Sequence, residues 1–206
     1  MKQLPILLLL AFMGACKAPA FSVTDRKTTP KPYAKILTIC VDGEYNFALL
    51  DSTLYNICIV NYFNETDKKE ERDREDALLA GSLSSSHTEV VRIPEAFLPE
   101  GYNYKNLKAL IDSSGIEAIF IYDLLRHTSV TTTTGFNAYG RPVPNVQTEN
   151  GAFKCYLVDA KSNRVVWSGQ SELKGRVTGG RRALTPAAAR SIAKELAAGM
   201  YIIADR

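Results

Sequence analysis

The first fifteen residues constrain the fold most strongly, because they are not expected to belong to the folded domain. Lys2 is followed by an apolar run from Ile6 to Met13 and by the small pair Gly14 and Ala15. A charged start, an apolar stretch of this length and small residues at its end are typical of a cleaved signal peptide. A membrane-spanning helix needs roughly 20 apolar residues, and polar sequence begins too early here. We therefore predict a signal peptide over residues 1–15.

Cys16 stands directly after the small pair. The Met-Gly-Ala-Cys sequence of residues 13–16 resembles the lipobox of bacterial lipoproteins, whose usual first residue is Leu. The resemblance implies cleavage before Cys16, a diacylglycerol on its sulfur and an acylated new N-terminus. Two or more acyl chains hold a protein lastingly on a membrane. We therefore expect lipidation at Cys16, with a plain secretory signal as the alternative.

The segment that follows is rich in proline, serine, threonine and lysine, with Pro19, Pro30 and Pro32 spread along it. Such a composition buries too little apolar surface to fold on its own. We predict that residues 16–32 form a lipidated flexible tether. Residues 33–206, roughly 170 in number, suit a single domain with one core.

The charge of the chain is nearly balanced. The formal net charge is +3, and removal of Lys2 with the signal peptide lowers it by one. This is too small to indicate nucleic acid or a strong attraction to anionic lipid. We expect no nucleic-acid partner.

Three cysteines remain after Cys16, and each lies in an apolar run: Cys40, Cys58 and Cys155. Buried free cysteine behaves as a small hydrophobic residue. The chain has no C-x-x-C pair, so a zinc site or a thioredoxin-like site is unsupported, and we expect no metal and no cofactor. Core packing is the favoured interpretation. A disulfide between Cys40 and Cys155 is the alternative if their strands are neighbours, because an envelope location permits disulfides.

Apolar periodicity predicts the elements of the domain. Strands are expected over residues 33–41, 89–93, 116–125 continuing to 134, 152–159 and 164–173, and helices over 45–63, 104–114 and 187–204. Residues 135–151 are rich in turn formers and are expected to form a long hairpin loop. The predicted order is β-α-β-α-β-β-β-α, with about three helices. This indicates an α/β (α+β) domain with a mixed sheet and helices packed on a face.

The run from Glu65 to Asp76 mixes acidic and basic residues. Glu70 with Arg74 and Lys69 with Asp73 are pairs of opposite charge four residues apart, which suits a solvated helix extension. An acidic metal site is the alternative, but the interleaved basic residues argue against it. In the last helix, Ile192, Leu196 and Met200 form one apolar stripe.

No catalytic signature is present: no G-x-S-x-G elbow, P-loop, H-E-x-x-H or Rossmann glycine fingerprint. His87 lies in a polar loop, and His127 follows Asp123 by four residues at the end of an apolar strand. Residues four apart on a strand are about 13 Å apart, too far for a hydrogen-bonded dyad. We therefore predict that the protein is not an enzyme.

The glycine-rich segment 175–182 is the strongest polar candidate for a binding site. It carries Arg176, Arg181 and Arg182 just before a helix, a combination that can hold an anion such as a lipid head group or an acidic glycan. The alternative is a solvated connection between strand and helix. The aromatic residues Tyr102, Tyr104, Phe136 and Tyr139 lie in or near loops, where they suit either a partner surface or a cover for the sheet edge.

Two further segments carry a resemblance. Residues 114–121, Ser-Gly-Ile-Glu-Ala-Ile-Phe-Ile, and residues 158–169, which end in Val-Val-Trp-Ser-Gly, look like recurring segments of envelope lipoproteins. The chain is similar over residues 33–205 to the broad group that shares the fold of the TolB N-terminal domain. That group includes the curli secretion channel lipoprotein and the lipoprotein activator of penicillin-binding proteins. The resemblance implies a lipoprotein fold more than any activity.

We therefore expect a non-enzymatic lipoprotein anchored to the membrane through Cys16, whose domain binds another envelope protein. The alternative is a subunit of an oligomeric secretion or cell-wall-synthesis-associated complex, with Ser129 to Thr134 and the loop after them forming the ring. Lys17, rather than Asp, follows Cys16. By resemblance to enterobacterial lipoproteins, this favours the outer membrane, with the domain in the periplasm.

Overall fold

The computed structural model describes residues 20–27, 31–42, 47, 50–64, 69–93, 104–132, 138–141, 146–176 and 184–205. The strands in these residues are β1 (Ala20–Arg26), β2 (Lys35–Asp42), β3 (Glu89–Arg92), β4 (Ala118–Thr132), β5 (Val146–Asp159) and β6 (Arg164–Arg176). The helices are α1 (Ser52–Asn64), α2 (Lys69–Leu83), α3 (Tyr104–Ser113) and α4 (Leu184–Ala198). The predicted mixed α+β class is confirmed, although the described residues form four helices rather than about three.

The six strands form one mixed sheet in the order β1-β6-β5-β4-β2-β3. β2 pairs in parallel with both β3 and β4, whereas β4, β5, β6 and β1 pair antiparallel in turn. Parallel neighbours need a crossover connection, and the helical segments supply it. The sheet therefore has a parallel half and an antiparallel half, which meet at β4.

Helices cover both faces of this sheet. On one face, α2 and α4 pack through Leu79, Leu83, Ile192 and Leu196 onto a cluster that includes Trp167. On the other face, residues of α1 and α3 pack onto a second cluster: Tyr55, Cys58, Ile59, Leu107 and Ile111. Successive side chains of a strand point to opposite faces, so β2 and β4 must be apolar at nearly every position. This explains their continuous apolar runs.

The N-terminal segment differs from the prediction. Residues 20–26 were expected to belong to a flexible tether, but they form the edge strand β1 and pair with β6. Alternating polar side chains allow β1 to pair at an edge with one face solvated. A register shift between Val23 and Asp25 interrupts the pairing, a feature that is common at sheet edges. The remaining part of the predicted tether before residue 20, and the signal peptide, lie outside the described residues.

The charged run also differs from the prediction. It does not continue the preceding helix but belongs largely to a separate helix, α2. Within α2, Arg72, Glu75 and Asp76 are buried, so the prediction of a fully solvated face was wrong for these three residues. They lie three, four or seven positions before Leu79, and thus on the side of α2 that packs against the sheet. Lys69 and Asp73 form the predicted ion pair on the exposed side.

The C-terminal helix ends earlier than predicted. Ile192 and Leu196 are buried as expected, but α4 stops at Ala198 and Met200 is 71% exposed. Met200 has a left-handed backbone with φ of 60°, which ends the helix and leaves Tyr201 and Ile202 to fill the core. A Cβ at Gly199 would lie 2.6 Å from Cε2 of Tyr201, so a larger residue there would displace the Tyr201 ring.

The three cysteines of the domain are buried and free, in agreement with core packing. Cys40 and Cys155 both lie opposite Tyr122 in the registers of β4 with its two neighbours. They are therefore separated by β4, about 10 Å apart at two strand spacings. This exceeds the reach of a disulfide.

Candidate functional site

A cavity of about 650 Å³ opens at the end of the sheet where β2 and β4 begin and β5 ends. Its lining comes from three separate parts of the sequence. The polar lining residues are Lys31, Tyr33, Lys108, Asp112, Glu117, Asp159 and Lys161. The apolar wall is formed by Ile111, Ile116 and Ala160.

One wall of this cavity is a hydrogen-bond network around Asp159, the last residue of β5. The Tyr33 hydroxyl donates to Oδ2 over 3.1 Å, and the backbone N–H and hydroxyl of Ser162 donate to Oδ1 over 2.7 and 2.8 Å. Burial alone would raise the pKa of Asp159, but these donors hold it below its ordinary value. Burial and the neighbouring carboxylate raise the pKa of Tyr33. The pair is therefore a neutral phenol bound to an ionised carboxylate.

Glu117, another lining residue, joins the cavity to the N-terminal segment. Its side chain accepts a hydrogen bond from Lys31 over 2.7 Å and from the backbone N–H of Ala34 over 2.6 Å. The Lys31 ammonium and the Ala34 N–H hold the pKa of Glu117 below its ordinary value. Lys108 pairs with Asp112 over 2.7 Å, whereas Lys161 is exposed at the mouth. The described cavity thus offers an apolar wall and the exposed Lys161 ammonium to a ligand, while Lys31 and Lys108 are paired with its carboxylates.

A second polar cluster is buried under α2, near the carboxyl end of β2 and beside the first half of β4. The Cys40 thiol donates to Oδ1 of Asp76 over 3.8 Å, and Nη1 of Arg72 donates to the carbonyl of Asn61 over 2.6 Å. Burial, followed by Asp76 and Glu75, raises the pKa of Cys40. This thiol is therefore protonated at neutral pH and is a poor nucleophile.

Three strands continue beyond this cluster as a ribbon. We define the ribbon as residues 126–132 of β4, 146–152 of β5 and 172–176 of β6, which pair in continuous register. Pairing between β2 and β4 stops at Asp42 and Leu124. Within the described residues, the edge of β4 from Arg126 to Thr132 therefore has no strand beside it. That open edge is about 20 Å long at 3.4 Å per residue.

The predicted site residues fall in different places. Cys16, Arg181 and Arg182 lie outside the described residues, as do Tyr102 and Phe136. Arg176 is the last residue of β6 and lies opposite Thr148 in the ribbon. His127 lies in the ribbon opposite Gly151, whereas Asp123 is buried in the core of the sheet. His87 is exposed in the turn before β3, and Tyr139 is 88% exposed.

Sequence reasoning missed the cavity and the buried charges of α2. The cavity brings together residues 31–33, 108–117 and 159–161, which no sequence motif connects. The spacing of Arg72, Asp76, Leu79 and Leu83 was the available signal for α2, because it continues an apolar stripe backwards into charged sequence.

In the described part of the chain, no group of three or more His, Cys, Asp or Glu residues is placed to hold a metal ion. Among the helices described, none is both long and apolar enough to cross a bilayer.

No family model and no curated protein sequence matches the chain. The fold is similar to that of the PelC dodecamer from Paraburkholderia phytofirmans, with a TM-score of 0.50, 14% identity, and coverage of 91% of this chain and 99% of that one. Lipoprotein GNA1162 from Neisseria meningitidis aligns with a TM-score of 0.40 and 10% identity, over 80% of this chain and 99% of its own. The LpoB C-terminal domain from Salmonella enterica aligns with a TM-score of 0.33 and 9% identity, over 72% of this chain and 88% of its own. At 14% identity, the likeness to PelC concerns the fold alone.

Proposed function

We propose that the chain is a bacterial envelope lipoprotein, anchored through lipid on Cys16, whose domain is a binding or assembly module rather than an enzyme. The lipobox-like residues 13–16 support the anchor. The observation that carries the binding role is the edge of β4 in the ribbon, from Arg126 to Thr132, which has no strand beside it among the described residues. Unpaired backbone donors and acceptors along a strand edge are a template for another strand.

In this role an extended segment of another envelope protein adds to β4 as a further strand. Main-chain hydrogen bonds supply the affinity in this mode of recognition, and alternate side chains supply the specificity. The body of the sheet holds the ribbon in place, because β4 is buried from Ala118 to Asp123 between β2 and β5.

A homo-oligomeric assembly subunit is the second candidate. The solved PelC structure of the same fold is a dodecamer, and the open edge of β4 is a surface through which copies can join. Light scattering on the soluble domain at increasing concentration discriminates between the candidates. A defined oligomer supports the assembly subunit, whereas a monomer at high concentration supports binding to a different protein.

Two adjacent proline variants test the edge. Successive N–H groups of a strand point to opposite sides. Val130→Pro and Thr131→Pro each remove one N–H group. One of these two groups faces β5, and the other faces the open edge. The variant that retains the thermal stability of the wild-type domain identifies the edge-facing position. That variant should lose oligomerisation or capture of the crosslinked partner in cells. Unchanged assembly and unchanged capture in both variants would exclude the edge as the binding surface.

The anchor is tested in the native host. Cys16→Ala should move the protein from the membrane fraction to the soluble fraction and remove incorporation of labelled fatty acid, because both depend on the thioether. Density-gradient separation of the two membranes tests the outer-membrane placement that Lys17 favours. Retention of the Cys16→Ala protein on membranes after a high-salt wash would contradict the anchor.

A further inference from the structure

The strand β1 shortens the chain that can link the domain to a lipid on Cys16. Three residues lie between Cys16 and Ala20, where β1 begins. Four steps of fully extended chain span at most about 14 Å. A flexible tether of about 16 residues would instead have a root-mean-square length of about 20–24 Å. The domain therefore lies much closer to its anchor than the sequence predicts.

The C-terminal end of β1 is hydrogen-bonded to the rest of the domain, which prevents the strand from serving as part of a longer tether. The backbone N–H of Lys27 donates to the carbonyl of Val166 over 2.8 Å, and its ammonium donates to the carbonyl of Val165 over 2.9 Å. The Tyr201 hydroxyl donates to the carbonyl of Lys27 over 2.8 Å. Arg26 pairs with Glu195 of α4 over 2.6 Å.

The register fixes which end of the sheet is near the anchor. Ala20 lies opposite Glu172 of β6, and Glu172 lies opposite Ala152 of β5 at the base of the ribbon. From Glu172, β6 continues for four residues to Arg176, about 13 Å at 3.3 Å per residue. This overhang equals the reach of the chain from Ala20 back to Cys16. The anchor is thus confined to the ribbon end of the molecule.

The opposite end of the sheet is remote from the anchor. The turn at residues 161–163 joins β5 to β6 there, and Lys161 in it is exposed. β6 alone separates Arg164 from Arg176 by about 40 Å. The cavity beside Lys161 therefore opens away from the end that carries the anchor.

We infer that the ribbon end is the membrane-facing surface of the protein and that it lies against the phospholipid head groups around the anchor. This inference depends on the proposed lipidation of Cys16. A head-group layer is about 5–7 Å thick, so a link of about 14 Å leaves less than about 10 Å between Ala20 and the lipid surface. The overhang of β6 beyond Ala20 is about 13 Å, so the ribbon end reaches the head groups. The overhanging end of β6 includes Lys174 and Arg176. Lysine and arginine are the residue types that anionic head groups attract.

The test uses the full lipidated chain in vesicles of phosphatidylethanolamine and phosphatidylglycerol that contain a nitroxide-labelled head group. Arg176→Cys and Lys161→Cys are matched variants, since each removes one cation and adds one thiol for a fluorophore. Cys40, Cys58 and Cys155 are buried, and the lipidated Cys16 has no free thiol. Nitroxide quenching should be at least about fivefold stronger at position 176 than at position 161, because about 40 Å separates the two ends.

A third variant carries an insertion of about 16 glycine and serine residues between Pro19 and Ala20, which lengthens the link to about 20–24 Å or more. Quenching at position 176 should then fall towards the value at position 161. Equal quenching at the two positions without the insertion, in protein that floats with the vesicles, would overturn the inference while leaving the anchor intact. Failure of the full chain to float would instead remove the proposed lipidation, and the inference with it.

Discussion

The Cys40 thiol donates a hydrogen bond to Oδ1 of Asp76 over 3.8 Å and so joins the middle strand of the parallel half to α2. Both side chains are buried. A buried carboxylate requires compensation from hydrogen bonds or opposite charge, and the buried Arg72 lies one turn earlier on the same helix. The charges of α2 are therefore part of the packing of the sheet.

Replacement of this carboxylate should be strongly destabilising. Asp76→Ala is expected to lower the free energy of unfolding by about 3 kcal/mol, because it leaves a cavity and removes the acceptor of the buried Cys40 thiol. Asp73→Ala is the matched control on the exposed side of α2, and its loss should stay below about 1 kcal/mol. Urea unfolding followed by circular dichroism measures both. Equal losses in the two variants would contradict the distinction between the two sides of the helix.

Stability should fall in acid because of the two carboxylates beside the cavity. The folded-state pKa values of Glu117 and Asp159 lie below their ordinary values of 4.5 and 3.8. The stability that these groups contribute is present above those ordinary values and is lost as the pH falls through the lower folded-state values. Asp159→Asn should therefore unfold with a smaller dependence on pH below about 5 than the wild type. Parallel curves for the two proteins, from urea midpoints measured between pH 5 and pH 2, would refute this.

The Tyr201 hydroxyl controls the attachment of β1. It lies 2.8 Å from the carbonyl of Lys27 and 3.1 Å from that of Val166. Tyr201→Phe should cost about 1 kcal/mol, and hydrogen exchange should increase selectively in β1 and in the residues of β6 that pair with it. Ile39→Val, a core change in β2 on the opposite face of the sheet, is the control. An increase spread evenly over the whole sheet in Tyr201→Phe would show that the hydroxyl acts on global stability instead.

The three domain thiols should be inert in the native protein. Burial raises the pKa of Cys40, Cys58 and Cys155, so the reactive thiolate is scarce as well as inaccessible. A maleimide reagent should modify none of them in the lipidated protein under native conditions and all three in denaturant, as read by mass spectrometry. Fast labelling of Cys58 alone would indicate local opening of α1.

Secondary structure was predicted most accurately for elements that are buried on both faces. β2 and the first half of β4 are continuous apolar runs, and the β5–β6 hairpin is marked by its turn at residues 161–163, so these elements were identified correctly. The strand β1 was missed because its short, half-polar sequence between prolines has no reason to pair until β6 is beside it. The structure of β1 depends on its pairing with β6, which lies about 150 residues later in the sequence.

The prediction of a solvated face for α2 was wrong for a related reason. The pair Lys69 with Asp73 and the buried Arg72 with Asp76 have the same spacing, and only the position of the sheet decides which pair is solvated. The cavity is beyond sequence reasoning altogether, because Tyr33, Glu117 and Asp159 become neighbours only when β2, β4 and β5 align. The lipobox-like motif, in contrast, was recognised from four consecutive residues, and the lipidation of Cys16 stays a prediction.

The pairing of β1 with β6 also has a consequence for how the molecule is made. The first strand to leave the ribosome finds its partner about 150 residues later, near the end of the chain, and closing so long a loop is entropically costly. Such non-local pairing slows folding. The sheet therefore remains incomplete at this edge until almost all of the polypeptide has been synthesised.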